Sequence, residues 1–200
     1  MRRLSTVVGM LIWLGSPTPM WAQDAKQADA ATCMECHGGG GEGAPNFGSL
    51  GGQHAAYLVK QLREYRSGKR KNDLMAPVVV DMKAQDIRAL AAHFAKQTLA
   101  PAKVEDAQLA VRGKALYEGG NPATGVPGCV GCHQANGVGS PRYPRLAGQI
   151  QTYTVQQMTD FKAGSRSNDR ARVMRAVAAR MTEEEVKAVA EYVAGLSGAK

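Results

Sequence analysis

The 200-residue sequence predicts an all-α protein that contains two tandem domains. Apolar residues recur at helical spacing in several segments, and no segment shows the strict alternation of a half-buried strand. A segment that begins at Cys33 is repeated, with many identical residues, from Cys129 onward. All four cysteines of the chain lie at the start of these two copies. We therefore expect two related helical units, each built around the same short cysteine motif.

The first 22 residues have the layout of a secretory signal peptide. Arg2 and Arg3 give a basic start, an apolar run follows over residues 4–14, and small residues lead to Ala22. The run is too short to span a bilayer permanently, so we expect cleavage after Ala22 and export to the periplasm. Retention of the segment as a membrane anchor is the alternative.

The internal repeat sets the expected domain organisation. Residues 33–73 align without a gap to residues 129–169, three extra residues then enter the second copy, and the register resumes at Met75 and Met174. Identical pairs include Pro45/Pro141, Leu50/Leu146, Gln53/Gln149, Tyr57/Tyr153, Gly68/Gly164 and Asn72/Asn168. The expected order is a first domain over residues 23–97, a linker over 98–106 and a second domain over 107–200.

Each copy begins with two cysteines and a histidine in five residues, C-M-E-C-H at 33–37 and C-V-G-C-H at 129–133. A disulfide or a zinc ribbon has no use for a histidine directly after the second cysteine of both pairs, and a thioredoxin-like pair is expected beside a βαβ pattern that is missing here. Cys-x-x-Cys-His is the attachment signature of haem c. We therefore expect thioether bonds from Cys33, Cys36, Cys129 and Cys132 and proximal iron ligation by His37 and His133.

Three segments of the first copy are predicted to be helical. They cover residues 25–32, which are rich in alanine, residues 57–66 and residues 86–97. In the middle segment Tyr57, Leu58, Leu62 and Tyr65 recur at helical spacing, and Gly68 marks the stop. A glycine-rich turn separates the haem-binding motif from this helix.

The second copy repeats the pattern with a longer leading helix. The predicted helices cover residues 107–118, 153–162 and 182–196. Gly113 and Tyr117 lie on the faces of the leading helix, and the first copy has no such pair. Thr182 followed by Glu185 is a capping box. Each domain is small, so we expect haem to supply much of its apolar interior.

The second axial ligand of each iron is predicted from the repeated methionines. Met75 and Met174 follow a polar loop that can cross the haem face, whereas Met82 and Met181 directly precede the closing helix. We favour Met75 and Met174 as ligands, and the other pair is the alternative, with burial in the core as the role of whichever pair does not bind. The remaining histidines, His54 and His93, have no histidine counterpart in the second copy and are interpreted as surface or packing residues.

These features together resemble the dihaem cytochrome c4 family. The resemblance rests on the tandem Cys-x-x-Cys-His motifs, on the segments P-N-F-x-x-L-x-G-Q and P-R-Y-P-R-L-A-G-Q, and on a methionine before a closing helix, and it covers essentially the whole exported chain. It implies two class I cytochrome c folds packed by a pseudo-twofold axis, ligation by Met75 and Met174, and electron delivery that is often directed to terminal oxidases. It also implies that the carbonyls of Pro45 and Pro141 support the proximal histidines.

The positive charge of the chain bears on its partners. Loss of Arg2 and Arg3 with the signal peptide would lower the formal net charge from +8 to +6. Basic residues gather at 63–71 and 166–180, which are matching regions of the two copies. Such a face can steer an acidic redox partner or contact anionic headgroups of a membrane, or it is simply solvated. A nucleic-acid partner is not expected in an exported compartment.

Three functional classes follow from these observations. The favoured one is a periplasmic electron carrier, not an enzyme, that shuttles single electrons between proteins such as a cytochrome reductase complex and a terminal oxidase. The second is an electron-transfer subunit of a periplasmic dehydrogenase, which would form a stable complex with its catalytic partner. A dihaem peroxidase is the third, and it is disfavoured because it needs an open iron and the matched methionines fill both sites.

Overall fold

A computed structural model describes residues 29–198 of the chain. The predicted signal peptide and the start of the predicted helix at 25–32 lie outside these residues. Within them the protein is helical, and the only β structure is two isolated bridges, Ala44 with Phe47 and Asn121 with Val126. No helix of this part of the chain is long and apolar enough to cross a membrane.

The helices follow the repeat. In the first copy they are α1 (Ala30–His37), α2 (Ala55–Arg66), α3 (Met75–Val79) and α4 (Ala84–Lys96). In the second they are α5 (Ala107–Gly119), α6 (Val130–His133), α7 (Gln151–Ala163), α8 (Val173–Arg180) and α9 (Glu183–Gly195), with a 3₁₀ turn at Arg170–Arg172. We refer to residues 29–97 as the first lobe and to residues 107–198 as the second lobe.

Each lobe has its own hydrophobic core. In the first, α2 packs on α4 and buries Leu58, Ala91 and Phe94. In the second, α9 packs against both α5 and α7. The buried residues of that core are Leu116, Tyr117, Val126, Met181, Val186, Val189 and Val193. The predicted linker, residues 98–106, contacts the second lobe, because the amide of Ala102 donates to the carbonyl of Ala194 at 2.8 Å.

Helices α5 and α9 cross at close range because Gly113 has no side chain. A Cβ atom at this position would lie 1.9 Å from the carbonyl oxygen of Ala188. One turn later Tyr117 is fully buried, and its hydroxyl donates to the carbonyl of Gln134 at 2.6 Å, directly after the second Cys-x-x-Cys-His motif. The glycine and the tyrosine of α5 therefore tie this helix both to α9 and to the motif.

The helix boundaries differ from the sequence prediction in several places. Helices α2 and α7 begin two residues earlier than predicted. Only residues 29–32 of the alanine-rich prediction for 25–32 can be compared, and there α1 begins after its cap, Asp29, and runs beyond the predicted end through the whole motif to His37. Helices α3, α6 and α8 were not predicted. The capping box of α9 is present, because the amide of Glu185 donates to Thr182 Oγ1 at 3.1 Å and the amide of Thr182 to Glu185 Oε2 at 2.8 Å.

The two lobes meet through paired hydrogen bonds that obey a pseudo-twofold relation. The side chain of Gln149 accepts from the amide of Ser49 at 2.8 Å and donates to its carbonyl at 3.2 Å. The equivalent glutamine, Gln53, accepts from the amide of Arg145 at 2.9 Å and donates to its carbonyl at 3.0 Å. All four residues are buried, so each lobe completes the backbone hydrogen bonding of the other.

Two buried arginines extend the interface in the same reciprocal way. Arg70 donates to the hydroxyl of Tyr153 at 3.1 Å and to the side-chain oxygen of Gln157 at 2.6 Å. Arg166, its equivalent, donates to the hydroxyl of Tyr57 at 3.0 Å. Arg70 and Arg166 are 6% and 8% exposed, so these basic side chains join the lobes and do not contribute to a surface patch.

Candidate functional site

The four cysteines lie on or beside short helices that hold each pair one helical turn apart. Cys33 and Cys36 are in α1, while Cys129 precedes α6 and Cys132 lies within it. None of the four forms a disulfide bond. Burial raises the pKa of Cys33 above its usual value, and it raises that of Cys129 to about 11. These two half-buried thiols are therefore protonated at neutral pH.

This environment argues against the two alternative uses of a Cys-x-x-Cys pair. A redox-active thiol needs a lowered pKa, and Cys33 and Cys129 have raised ones. A zinc site needs several converging ligands, and in residues 29–198 no three His, Cys, Asp or Glu side chains converge to hold a metal ion.

The histidine of each motif is held in the same way in both lobes. Nδ1 of His37 lies 2.6 Å from the carbonyl oxygen of Gly48, and Nδ1 of His133 lies 2.9 Å from that of Pro144. A carbonyl only accepts, so Nδ1 carries the proton and Nε2 keeps its lone pair. Burial lowers the pKa of both imidazoles, which favours the neutral form that binds a metal. Nε2 has no hydrogen-bond partner among the residues that the structure describes.

The carbonyls that orient these rings are not those that the family resemblance implied. Pro45 and Pro141 were expected to supply them, and the structure places Gly48 and Pro144 there instead, three residues further along each copy. Gly48 and Pro144 are equivalent in the repeat but differ in identity. The acceptor is a backbone atom, so the position can be kept while the side chain changes.

The methionines differ in burial. Met75 is the first residue of α3, Met174 is the second of α8, and both are half-buried. Met181 is only 3% exposed and belongs to the core of the second lobe, as the interpretation of this position as a packing residue requires. Its counterpart Met82 is half-buried and is not part of the first core.

The other two histidines lie away from the motifs. His54 directly precedes α2, and its Nε2 is 2.8 Å from the carbonyl oxygen of Val138 in the opposite lobe. His93 is exposed on α4, where its Nε2 lies 2.9 Å from Nε2 of Gln97. Both fit the predicted roles in packing or at the surface.

The donor set of each lobe fits a covalently attached haem. The two thiols one turn apart are the groups that bond to the vinyl substituents of the porphyrin, and the next residue presents a neutral imidazole with Nε2 available for iron. The carbonyl at Nδ1 fixes both the tautomer and the orientation of that ring. This arrangement occurs twice, with the same backbone position serving as acceptor.

The residues that form the interface between the lobes were not predicted from the sequence, although their repetition in both copies could have indicated them. Gln53/Gln149 and Tyr57/Tyr153 were recognised as identical in both copies, and the structure shows that they form the interface. A polar residue that recurs in both copies with no part in the cofactor site is a candidate for a contact between the copies.

Comparison with known proteins places these features in context. A family model described as Cytochrome c matches residues 22–98 and again residues 110–197. Cytochrome c4 from Pseudomonas aeruginosa is 40% identical over 176 residues, a match that covers 86% of this chain and 87% of the relative. A thiosulfate dehydrogenase electron acceptor from Thiomonas intermedia is 36% identical over 201 residues, covering 97% of this chain and 91% of the relative.

A solved structure gives the same result for the fold. The crystal structure of reduced recombinant cytochrome c4 from Pseudomonas stutzeri superimposes with a TM-score of 0.81 at 38% sequence identity. The match covers 85% of this chain and 96% of that one. The two lobes and their arrangement therefore have a counterpart in a known structure.

Proposed function

The chain belongs to the dihaem cytochrome c4 family, and on that premise we propose that it is a periplasmic carrier that shuttles single electrons between respiratory redox proteins. Its two class I cytochrome c domains each bind one haem c covalently. The observation that carries the proposal is the duplicated histidine geometry, with Nδ1 held by a carbonyl at the same repeat position and Nε2 free. Domain bounds of 23–97 and 107–200, with a linker at 98–106, complete the proposal.

The residues have distinct tasks in each lobe. Cys33 and Cys36, and their counterparts Cys129 and Cys132, hold the porphyrin by thioether bonds. His37 and His133 would bind iron through Nε2, and Met75 and Met174 would supply the second protein ligand of each iron. Haem c bound in this way supplies one-electron iron chemistry, and a methionine sulfur raises its potential.

This ligand set supports a carrier over an enzyme. A peroxidase needs an open iron with acid–base side chains beside it. Two further histidines could serve in that role. His54 instead contacts the carbonyl of Val138 in the opposite lobe, and His93 lies at the surface of α4 beside Gln97. With a methionine as the second ligand of each iron, neither haem would offer an open site, and the protein would exchange electrons without transforming a substrate.

Location and partners follow from the leader-like segment at 1–22 and from the family. An exported chain with this charge is suited to take electrons from a cytochrome reductase complex and to deliver them to a terminal oxidase. Cleavage near Ala22 releases it into the periplasm. Mass spectrometry of the purified protein checks this, because the expected mass is that of residues 23–200 plus two haems.

The experiment that tests the carrier function is a spectroscopic redox titration of the haem-loaded protein, with carbon monoxide as a probe of open iron. We expect two one-electron steps, a sulfur-to-iron charge-transfer band from each oxidised haem and no uptake of the gas. A haem that lacks the sulfur band and binds carbon monoxide would return the peroxidase alternative to that lobe.

A second candidate has specific support. The relative from Thiomonas intermedia is named as an electron acceptor of thiosulfate dehydrogenase. This chain would then accept electrons from a periplasmic dehydrogenase as a dedicated subunit. Pulldown of the haem-loaded chain from its own periplasm distinguishes the two, because a subunit co-purifies in fixed ratio with a dehydrogenase whereas a mobile carrier elutes alone.

A further inference from the structure

The two lobes differ beside the proposed methionine ligands. In the first lobe only Leu74 separates Asp73 from Met75. In the second lobe the sequence Arg-Ala-Arg-Val, residues 170–173, stands between Asp169 and Met174. The three extra residues form the 3₁₀ turn Arg170–Arg172, which we call the arginine turn.

The backbone of the arginine turn is held in an uncommon conformation. Ala171 and Arg172 have φ angles of +51° and +60°, a region that residues other than glycine rarely adopt. The turn is closed by Asp169, whose carboxylate accepts from the amide of Arg175 at 3.1 Å and from its Nε at 2.7 Å. The Asp169 side chain is only 4% exposed. The arginine turn therefore has a defined backbone conformation that contacts with the buried Asp169 side chain hold in place.

The two arginines of the turn project their charge into solvent. Arg170 and Arg172 are exposed, and neither forms a hydrogen bond or an ion pair with another side chain in residues 29–198. Their neighbours in the basic segment 166–180 are already engaged, because Arg166 is buried between the lobes and Arg175 is paired with Asp169. The remaining arginine, Arg180, is exposed and donates to the backbone carbonyl of Gly125 at 3.3 Å, so Arg170 and Arg172 are the cations of this segment that lie next to Met174 without a partner.

The matching place in the first lobe has a different character. The side chain of Asn72 accepts from the amides of Leu74 and Met75 at 3.1 and 2.9 Å and begins α3 without extra residues. Leu74 is 67% exposed. Lys71 is also exposed and forms no ion pair among the described residues, but it lies four residues before Met75. The chain therefore presents an apolar residue directly beside Met75 and a pair of unpaired cations beside Met174.

We propose that the arginine turn is the docking surface for an acidic redox partner, so that a protein of negative surface charge exchanges electrons preferentially with the second lobe. The proposal rests on the electron-carrier function. Two exposed cations beside the proposed ligand steer an acidic surface toward the second lobe, and the charge complementarity selects the partner.

Binding of an acidic polypeptide tests the docking surface independently of electron transfer. Poly-L-glutamate is titrated into the haem-loaded protein at low salt, and binding is followed by NMR shifts of the amides at 169–175. R170Q/R172Q is expected to weaken binding about five- to tenfold. The control R88Q/K96Q removes the same charge from exposed positions on α4 and should change binding less than twofold. Equal weakening in both variants would show that only net charge matters and would overturn the proposal.

Electron transfer supplies the second readout. Oxidation of the reduced protein by hexacyanoferrate(III) should show one haem slowed about three- to tenfold in R170Q/R172Q at low salt, and the difference should vanish at high salt. If neither haem can be oxidised reversibly, the carrier function itself fails. If both haems react normally and the variant matches the wild type, only the docking proposal fails.

Anionic lipid is the other possible target of the turn. Co-sedimentation with vesicles of phosphatidylglycerol distinguishes it. Binding of wild-type protein that R170Q/R172Q abolishes and R88Q/K96Q retains, without a matching loss of poly-L-glutamate binding, would assign the turn to a membrane surface. Absence of vesicle binding, together with the polypeptide result above, supports a protein partner.

Discussion

At the scale of single residues, the histidines of the two Cys-x-x-Cys-His motifs show that a backbone atom can keep its role while the residue that carries it changes. Nδ1 of His37 and Nδ1 of His133 each donate to a carbonyl at the same position of the repeat, and that carbonyl belongs to a glycine in one lobe and to a proline in the other. The acceptor is the peptide oxygen, which every residue has. The prediction that the carbonyls of Pro45 and Pro141 accept these hydrogen bonds was therefore wrong, although both prolines are identical in the repeat.

Substitution of the proposed methionine ligands should affect one haem at a time. Met174→Ala is expected to open the iron of the second lobe to carbon monoxide and to lower its potential on the order of 0.1 V, and Met75→Ala should do the same in the first lobe. Visible spectroscopy with redox titration measures both effects.

The alternative methionine pair provides the control for this test. Met181→Leu preserves apolar volume in a well-packed core and should cost less than about 1.5 kcal/mol while leaving both haem spectra unchanged. Retention of the sulfur band in Met75→Ala and Met174→Ala, with loss in the variants of Met82 and Met181, would reverse the ligand assignment.

At the scale of helices, the longer helices could be predicted from the spacing of apolar residues and the short ones could not. Helices α2, α4, α5, α7 and α9 have twelve or thirteen residues, long enough for an apolar face to repeat several times. Helices α3 and α6 have five and four residues, too few to establish a period. The full extent of α1 was not predicted, because its residues 33–37 were interpreted as a haem-attachment motif and their helical spacing was not considered.

The contact between α5 and α9 should tolerate no side chain at its closest point. Gly113→Ala would place Cβ against the backbone carbonyl of Ala188, which cannot move without displacing α9. We expect the free energy of unfolding of the haem-loaded protein to fall by about 3 kcal/mol, measured by chemical denaturation.

A second glycine of the same helix separates steric conflict from helix propensity. Gly119 ends α5, and a Cβ there would meet nothing within 4 Å. Gly119→Ala should therefore be neutral or stabilise by about 0.5 kcal/mol. Equal destabilisation by both substitutions would mean that the close crossing of α5 and α9 is not what requires glycine at 113.

At the scale of the whole molecule, the pseudo-twofold relation is broken at one pair of asparagines. Asn72 caps α3, whereas Asn168 turns to the opposite lobe and donates to Gln61 at 3.0 Å and to Glu64 at 2.7 Å. In the second lobe Asp169 accepts instead from an amide of the following helix, that of Arg175. The three inserted residues thus release Asn168 for the interface.

The contact with Asn168 makes Glu64 a pH-dependent part of the interface. Partial burial on its own raises the pKa of Glu64, but the hydrogen bonds from Lys60 and Asn168 and the charge of Lys60 outweigh burial and hold the pKa below its ordinary value of 4.5. A carboxylate with a lowered pKa stabilises the fold above the unfolded-state pKa. That contribution is lost as the pH falls through the folded-state value.

Replacement of this carboxylate should therefore matter at neutral pH and cease to matter in acid. Glu64→Gln is expected to lower the free energy of unfolding by about 1–2 kcal/mol at pH 7, with the difference from wild type shrinking below pH 4.5. Thermal melts across the pH range measure it. Asp160→Asn, the equivalent change in the second lobe, should cost less than about 0.5 kcal/mol, because Asp160 bonds only within its own lobe, to Gln156 and Ser165. The same pH profile in both variants would contradict this role of Glu64.

The sequence could predict that two lobes exist, and the family resemblance implied a pseudo-twofold arrangement, but the residues that join the lobes could not be predicted. The duplicated motif and the helical spacing determine each lobe separately, and they involve residues close together in the chain. The interface joins positions such as Ser49 and Gln149, which are 100 residues apart. No periodicity links such positions, so only the repetition of polar residues with no task in the haem site pointed to them.

The reciprocal contacts of Gln53 and Gln149 have the form of an isologous interface, in which residue i of one subunit meets residue j of the other and j meets i. A symmetric homodimer of a single haem domain has this kind of interface. A peptide connection between two such subunits makes their association independent of concentration. It also lets each half change alone, which a homodimer cannot do because every substitution there appears twice. The asparagine that switched its contact and the arginine turn that only one half possesses are changes of this kind.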